Sequence, residues 1–486
     1  MKNIIYIFLS MVFIPSAWSQ NITDIVRWSD FRNTGTAGSL GVSNSIGAVG
    51  GDITAAGINP AGIAEFKKFV FNFSAGMNSV NNRSYLTADA ASINNAKSNQ
   101  FGFYNAGLVF GNYRPKKNFT SSNFAIGFTR QNTFKEKVFF SGRSRGSITE
   151  YFANTASNFS DEELEYYPAY ITEAIFQDPR DLDSFLTDFK FEDIVLKEQN
   201  ITRSGNLNEW SFTWAGEYKD KFNIGIGIGI PVGTFKEQKV YVEQDPENNI
   251  LNFNYLNQTE NLNVSVRGFN FKVGFVAKPL NWLRIGGSLH SPTWYNLTEN
   301  YEYSLEYHYN DIENVAGNFG SSEPFEYKII TPWKAVGSLG SVYSFGNVKG
   351  FINADIEFID YSSAEYNGTS STNTPEEIEY TNSLNQTIAN TLTAATNFRL
   401  GTEIAYEDFR LRGGWYQFYS PFANQRTANN SYSMGLGFRG ESFFIDFALQ
   451  FNEILQPTYY AYPIVDSEVK TYRQNTLGLV TLGFRL

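Results

Sequence analysis

The chain has no cysteine in its 486 residues. Disulfides, thiolate metal sites and cysteine nucleophiles are therefore excluded. Histidine is nearly as scarce, with His290 and His308 the only two. An enzyme needs a nucleophile and a base in mutual reach. Ser291 beside His290 is a neighbour in sequence and not a geometric pair, so no enzymatic activity and no cofactor or metal is expected. Basic residues are outnumbered, 38 against 49 acidic ones, for a net charge of −11. A nucleic-acid partner needs a basic face, and that class is excluded too. After the first twenty residues there is no long apolar run. A transmembrane helix needs about 20 consecutive apolar residues, so a helical membrane protein is also excluded.

What is present is aromatic and bare: 44 Phe, 29 Tyr and 40 Gly. The apolar residues are spread in alternation. At the C-terminus Val480, Leu482, Phe484 and Leu486 alternate with Leu479, Thr481, Gly483 and Arg485. An outer-membrane strand shows this dyad over about 10 residues, one face on lipid and one on the lumen. Fourteen such segments lie near 69–79, 101–110, 123–140, 209–218, 222–244, 250–278, 282–308, 325–344, 348–366, 393–406, 409–418, 430–439, 443–452 and 474–486. The fifth is the clearest. Phe222, Ile224, Ile226, Ile228, Ile230 and Val232 share one face, and Gly225, Gly227, Gly229 and Gly233 sit on the other. Four bare glycines on one face suit an inner wall with something bulky against it.

The connections follow the same pattern. Those after even segments are short, such as Lys219-Asp220-Lys221 and Glu407-Asp408, while those after odd segments are mostly long. Short periplasmic turns and longer extracellular loops imply an even count with both ends in the periplasm. The expected fold class is all-β: a 14-stranded antiparallel transmembrane β-barrel in the outer membrane of a Gram-negative bacterium. The extreme connection, 141–208, contains two helix-like stretches, Asp161 to Phe176 and Asp181 to Phe189, with Ser160 as N-cap of the first.

Two further segments precede the barrel. Residues 1–19 read as a secretory signal, with Lys2, an apolar core from Ile4 to Ile14, and Ala17-Trp18-Ser19 before a mature start at Gln20. Residues 20–66 are rich in Gly and Ala and include Asn59-Pro60-Ala61-Gly62. Small residues let backbone pack closely against an inner wall, so 20–66 is expected to fold as a plug inside a barrel of residues 67–486. The glycine face of the fifth segment is its candidate receptor.

Parity assigns the charged residues of the later strands. Asp355, Glu357, Arg399, Glu403, Arg410, Arg412, Arg439, Asp446 and Arg485 fall on the lumen side. Arg or Lys on lipid at the midplane would cost about 2–4 kcal/mol. Ion pairing that holds the wall and anchors the plug is the expected role; a polar lining along a solute path is the alternative. Phe484 and Leu486 are the expected signal to the barrel-assembly machinery, and a monomer surrounded by outer-membrane lipid is the expected state.

The Gly/Ala-rich lead followed by Asn59-Pro60-Ala61-Gly62 resembles the hatch of the FadL/TodX family of outer-membrane transporters of hydrophobic compounds. Weaker matches recur in family order: Leu283 to Pro292, Thr331-Pro332-Trp333-Lys334 with Gly337, Asp355 to Ser362, Arg399 to Glu403, and Leu411 to Tyr416 with Ser420-Pro421. The resemblance covers nearly the whole expected mature chain. It implies passive uptake of a hydrophobic molecule, long-chain fatty acid or similar, held in an apolar site and released sideways through a gap in the wall. The ligand, or lipid or detergent in its place, would occupy the lumen. The family's gap comes from a kink in the third strand. Here Phe124, Ile126 and Phe128 keep parity until Arg130-Gln131-Asn132-Thr133 breaks it. A bulge or opening is predicted near Gln131 to Thr133; the other reading is that the strand leaves the membrane there. Relatives of such barrels also act as protein-binding hubs or shuttles in secretion, which is the alternative function.

Overall fold

Alternation over ten residues makes a strand with one greasy face, and a greasy sheet in a membrane must close on itself, because an open edge leaves unpaired N–H and C=O groups in hydrocarbon. The computed structural model describes residues 14–486 apart from 30–33, 116, 191, 310–314, 321–323, 369–373 and 463–466. Its wall opens with β1 (Val70–Leu86), β2 (Asn94–Phe110) and β3, which comes in two pieces, Phe119–Thr133 and Glu136–Arg145. Next come β4 (Ile194–Tyr218), β5 (Phe222–Gln244) and β6 (Tyr255–Ala277). Three interrupted strands follow: β7 (Leu283–His290 and Trp294–His308), β8 (Phe325–Ile330 and Lys334–Phe345) and β9 (Val348–Asp360 and Glu365–Gly368). The last five are β10 (Ala394–Tyr406), β11 (Phe409–Tyr419), β12 (Ala428–Arg439), β13 (Phe443–Leu455) and β14 (Glu468–Arg485). Each pairs antiparallel with the next, and β14 returns to β1 with Arg485 opposite Val70. This is the closed fourteen-stranded barrel that the alternation predicts.

Strand β5 shows how parity builds the wall. Ile224, Ile226, Ile228 and Ile230 are exposed on the outer face, while the glycines between them are buried. The same outward pattern recurs on β6 with Phe269, Phe271, Val273 and Phe275, and on β12 with Tyr432, Met434 and Leu436. The short turns fit their sequences. Lys219 and Asp220 both take positive φ, 51° and 57°, the two-residue geometry whose twist matches that of flanking strands.

The long connection differs from expectation. Strand β3 runs on to Arg145 and β4 begins at Ile194, so the loop is 146–193 and not 141–208. The helix expected over Asp161 to Phe176 is two single turns, Asp161–Leu164 and Pro168–Ile171, since Pro168 cannot continue the first. The stretch from Asp181 is the second strand of a small hairpin, Phe176–Asp178 with Asp181–Leu186. A helix with no counterpart in the expectation, Ile148–Ala156, is capped by Ser147. Ser160 stands at the N-cap of its turn, where the Glu163 carboxylate accepts from its N–H at 2.7 Å and its hydroxyl at 2.8 Å.

The lumen is filled in three storeys. At the end of the barrel where β1 starts and β14 finishes lies the plug, residues 34–66, almost wholly buried. At mid-height the helix Ile14–Ser29 enters an apolar chamber, together with the loop helix Pro375–Thr391. At the far mouth the 146–193 loop packs Phe152, Leu164, Tyr167 and Phe189 against inward residues of β4 to β7 and β14, such as Val195, Tyr241, Leu256, Leu305 and Val469. The expected signal segment, 1–19, lies outside the described residues up to 13, and the helix Ile14–Ser29 runs through the expected cleavage point.

Candidate functional site

The plug is held by its own turns and by a wall stripped of side chains. Asn59 caps the turn Pro60–Glu65, its Oδ1 accepting from the Ala61 N–H at 3.2 Å. Its amide also donates to the carbonyls of Gly47 (2.7 Å) and Phe275 (3.0 Å), tying plug to plug and plug to β6. A Cβ on Gly225 would lie 2.4 Å from Ala61 N, and one on Gly62 would lie 2.9 Å from Gly50 Cα. These are closer than side-chain carbons come, so Gly is required. The wall's receptor is broader than the fifth strand. Of its four glycines only Gly225 meets the plug; Gly229 faces Glu209 and Asn270, and Gly233 faces the Asn206 backbone. The rest of the receptor is a ring of single glycines on other strands: Gly107 against Ile53, Gly274 against Asn59, Gly286 against Gly47, Gly401 against Val42 and Gly414 against Ser43. Polar side chains complete it. Asn123 Nδ2 donates to the Ile63 and Phe66 carbonyls at 2.8 and 2.7 Å, and His290 Nε2 donates to Ile58 O at 2.9 Å. Lys278 bridges Glu65 of the plug and Glu217 of β4, both at 2.5 Å.

The charged lumen residues pair with one another across strands. Arg412 links Glu403 and Asp446, each at 2.6 Å, and Arg439 adds a second contact to Asp446 at 2.8 Å. Arg410 reaches Glu403 at 3.7 Å. Glu357 holds Arg399 at 3.0 Å and Lys334 at 3.4 Å. Asp355 accepts from Asn353 Nδ2 at 2.9 Å. Arg485 lies over the Phe444 ring, 5.2 Å from its centroid. Phe484 and Leu486 are exposed on the outer face. One pair absent from the sequence reading, Lys272 with Glu209 at 2.5 Å, is fully buried. Its members lie on β6 and β4, with β5 between them, and alternation in one strand says nothing about a partner two strands away. Asn270, Lys272, His290 and Lys334 line a small cavity above the plug together with Gln131, Pro332 and Ile359.

Above this polar layer the walls turn apolar. Trp28 of the N-terminal helix meets Phe134 edge-to-face at 5.4 Å, and Phe134 meets Phe235 in the same way at 5.4 Å. Ile25, Leu262, Val264, Tyr295 and Leu384 complete the chamber. Tyr327 OH donates to Asp24 at 3.0 Å, and the Arg27 guanidinium sits 3.6 Å over the Phe235 ring. The helix thus fills the chamber with its own aromatic residue.

The wall beside the chamber is unzipped. β2 and β3 pair from Phe110↔Phe124 to Asn105↔Thr129 and no further. Above that point β2 pairs with β1, while β3 pairs with β4, and the β3–β4 register slips between Arg130 and Asn132. Gln131 is the extra residue of that bulge and is buried. Bulges bend a strand and end pairing locally. A second slip, between Ser74 and Ala75 of β1, leaves Tyr104 of β2 as the extra residue at the same height, and Arg130 stacks over the Tyr104 ring at 4.9 Å. Beyond the bulge β3 parts from β2, stays paired with β4 from Glu136↔Arg203 to Arg145↔Ile194, and crosses the inner face of β1 and β2. On the edge facing β1 and β2 its carbonyls accept from side chains in place of a ladder: Asn82 to Lys137 O at 2.7 Å, Ser98 to Lys135 O at 3.3 Å and Asn94 to Ser141 O at 3.2 Å. Thr133 and Asn132 follow the bulge, with Thr133 hydrogen-bonded to Gln100 of β2.

A closed fourteen-stranded wall with a lipid-facing apolar belt and a lumen plugged by its N-terminal segment defines a plugged outer-membrane β-barrel. Its fold is that of a FadL homologue from Pseudomonas aeruginosa, which is 13% identical, with 93% of this chain and 98% of that chain covered and a TM-score of 0.52. A mutant of the monoaromatic hydrocarbon channel TodX, lacking S2S3, matches at 10% identity over 93% and 99% of the two chains, with a TM-score of 0.52. No protein-family model matches the chain. No curated protein matches it by sequence either.

Proposed function

We propose that this barrel carries hydrophobic small molecules, long-chain fatty acids or similar, passively across the outer membrane and releases them sideways between β2 and β3. The observation that carries the proposal is the unzipped wall: pairing stops at Asn105↔Thr129, beside an apolar chamber that contains Phe134. A greasy ligand gains roughly 0.8 kcal/mol per CH₂ buried on leaving water. From the chamber, membrane hydrocarbon is a better destination than the charged layer of Lys272, Lys334 and Arg399 below. Partition down a concentration gradient then drives transport, with no covalent chemistry. The name of the solved TodX channel, a channel for monoaromatic hydrocarbons, supports a hydrophobic cargo.

In this reading the plug blocks aqueous leakage through Asn59 to Gly62, and Arg130 to Thr133 shape the opening. The paired charges hold the wall against the plug, and Phe484 with Leu486 presents the last strand to the assembly machinery. The test is uptake of labelled long-chain fatty acid by cells deprived of their own transporter. Restored uptake on expression of this chain supports the proposal. Correct insertion without uptake of fatty acid or of a monoaromatic hydrocarbon would refute it.

A further inference from the structure

The displaced half of β3 poses a physical question: its outer edge could regain ladder bonds by zipping onto β2, yet it lies across the lumen. We infer that a buried ionic clasp centred on Glu136, with Arg473 and Arg203, holds the displaced half of β3 inward and so sets the width of the β2–β3 gap. Glu136 is the first residue after the break in β3. Arg473 belongs to β14, and in the wall β1 and β2 stand between β14 and β3. The Arg473 Nε to Glu136 Oε2 contact of 3.5 Å therefore spans two intervening strands on their inner side. From the opposite side Arg203 of β4 donates to Glu136 at 2.6 Å and also pairs with Glu237 of β5. Lys239 continues the chain of charges from Glu237 to Glu260 of β6, at 3.5 and 3.7 Å.

The carboxylate is well placed to decide the position of the strand. Its side chain is 10% exposed, so little water competes for it. Of the other bonds across this contact, those from Asn82, Asn94 and Ser98 are neutral and join side chain to backbone, about half the strength of ones involving an ion; the Arg143 N–H also donates to the Asp89 carboxylate, but at 3.4 Å and in an exposed position. Zipping β3 onto β2 would pull Glu136 from Arg473, a cation only 17% exposed, and cost it this carboxylate. The clasp also touches the chamber: Arg27 of the N-terminal helix stacks on Phe235, two residues before Glu237. Glu136 and Arg473 are positioning residues in this account. The functional consequence rests on the lateral route proposed above, but the geometry does not.

The test measures the gap directly. Nitroxide labels go on Asn99→Cys of β2 and Lys137→Cys of β3, both exposed positions in a chain with no other thiol. Pulsed electron resonance of the full barrel in lipid nanodiscs then reads their separation. Glu136→Gln and Arg473→Met break the pair from opposite ends, and Arg473→Lys keeps the charge. The expected result is a shifted or broadened distance in the first two and the parent distance in the third. Folded Glu136→Gln and Arg473→Met barrels that keep the parent distance would overturn the inference. So would failure of both to fold, because the pair would then serve assembly and not gap width. A changed distance with unchanged fatty-acid uptake would leave the clasp standing and remove the lateral route instead.

Discussion

Thr34, the first described residue of the plug, donates its hydroxyl to the carbonyl of Arg130 at 2.7 Å, and its N–H points to the same oxygen at 3.3 Å. Arg130 is where β3 parts from β2. Plug and gap are thus hydrogen-bonded at one point. A buried hydrogen bond contributes about 0.5–1.5 kcal/mol, so Thr34→Val should loosen the plug by that amount. Hydrogen exchange of the Ala37–Leu40 amides should quicken several-fold. Unchanged protection would show that this contact does not hold the plug.

The glycine ring makes a steric prediction. Gly225→Val places methyl groups where Ala61 N and the Pro60 carbonyl already sit. Overpacking of this kind costs about 1–3 kcal/mol, and here the plug is the part that can yield. Ion conductance across planar bilayers should rise above that of the parent. Gly368→Ala, with nothing within 4 Å of its added Cβ, should leave conductance unchanged. Equal conductance in all three barrels would contradict the close fit of plug to wall.

The interior ion pairs differ in worth from those outside. Asp446 is 1% exposed and receives both Arg412 and Arg439. Asp446→Ala takes the carboxylate from Arg439 and leaves Arg412 with Glu403 alone, at a cost of about 3–5 kcal/mol. Arg83 and Glu453 make a longer pair, at 3.3 Å, and both are about half exposed. Arg83→Ala should cost less than about 1 kcal/mol. Urea unfolding of the barrel in lipid, followed by tryptophan fluorescence, should separate the two variants clearly. Similar midpoints would argue that water reaches Asp446.

The outer loop carries a pH signature. Burial pushes the Asp188 carboxyl up from its ordinary value, against hydrogen bonds from Tyr307 and Asn252 that lower it. Burial likewise raises Glu150 at the start of the loop helix, with the Glu243 charge adding to the rise and Lys197 opposing it. A carboxyl raised in the folded loop binds protons there that the unfolded loop has already lost. Stability is therefore full below the ordinary carboxylate range and declines as pH rises toward the raised values. Limited proteolysis of residues 146–193 should accelerate from about pH 4 upward, where free carboxyls ionise. Asp188→Asn should flatten part of that slope. A rate independent of pH would contradict the burial of these groups.

Much of the wall was legible in the sequence because lipid enforces a period of two. Phe222 to Val232 could belong to little else, and the charges from Asp355 to Arg485 followed by parity from their apolar neighbours. The plug was legible in Asn59-Pro60-Ala61-Gly62, where an N-cap, a fixed φ and two small residues specify a tight turn. Outside the lipid belt the rule lapses. The upper half of β4 reads Lys197-Glu198-Gln199-Asn200, because its inner face meets a loop and its outer face meets water. Strand ends were therefore shortened and the loop overextended. The sequence shows the glycine receptor on one strand only, because a lone Gly401 or Gly274 carries no local signal; the closed barrel brings the ring together. The same holds for Glu136 and Arg473, which are 337 positions apart.

The claim that cargo leaves through the wall is tested most directly by closing the gap. In a chain with no native thiol, Phe103→Cys on β2 and Gln131→Cys on β3 can be joined by a short thiol-reactive crosslinker with a reducible bond. Fatty-acid uptake is then measured in cells before and after reduction. Lateral release predicts that crosslinked barrels lose at least tenfold in uptake and recover it with reductant. Full uptake through a crosslinked wall would place the exit elsewhere and contradict the account.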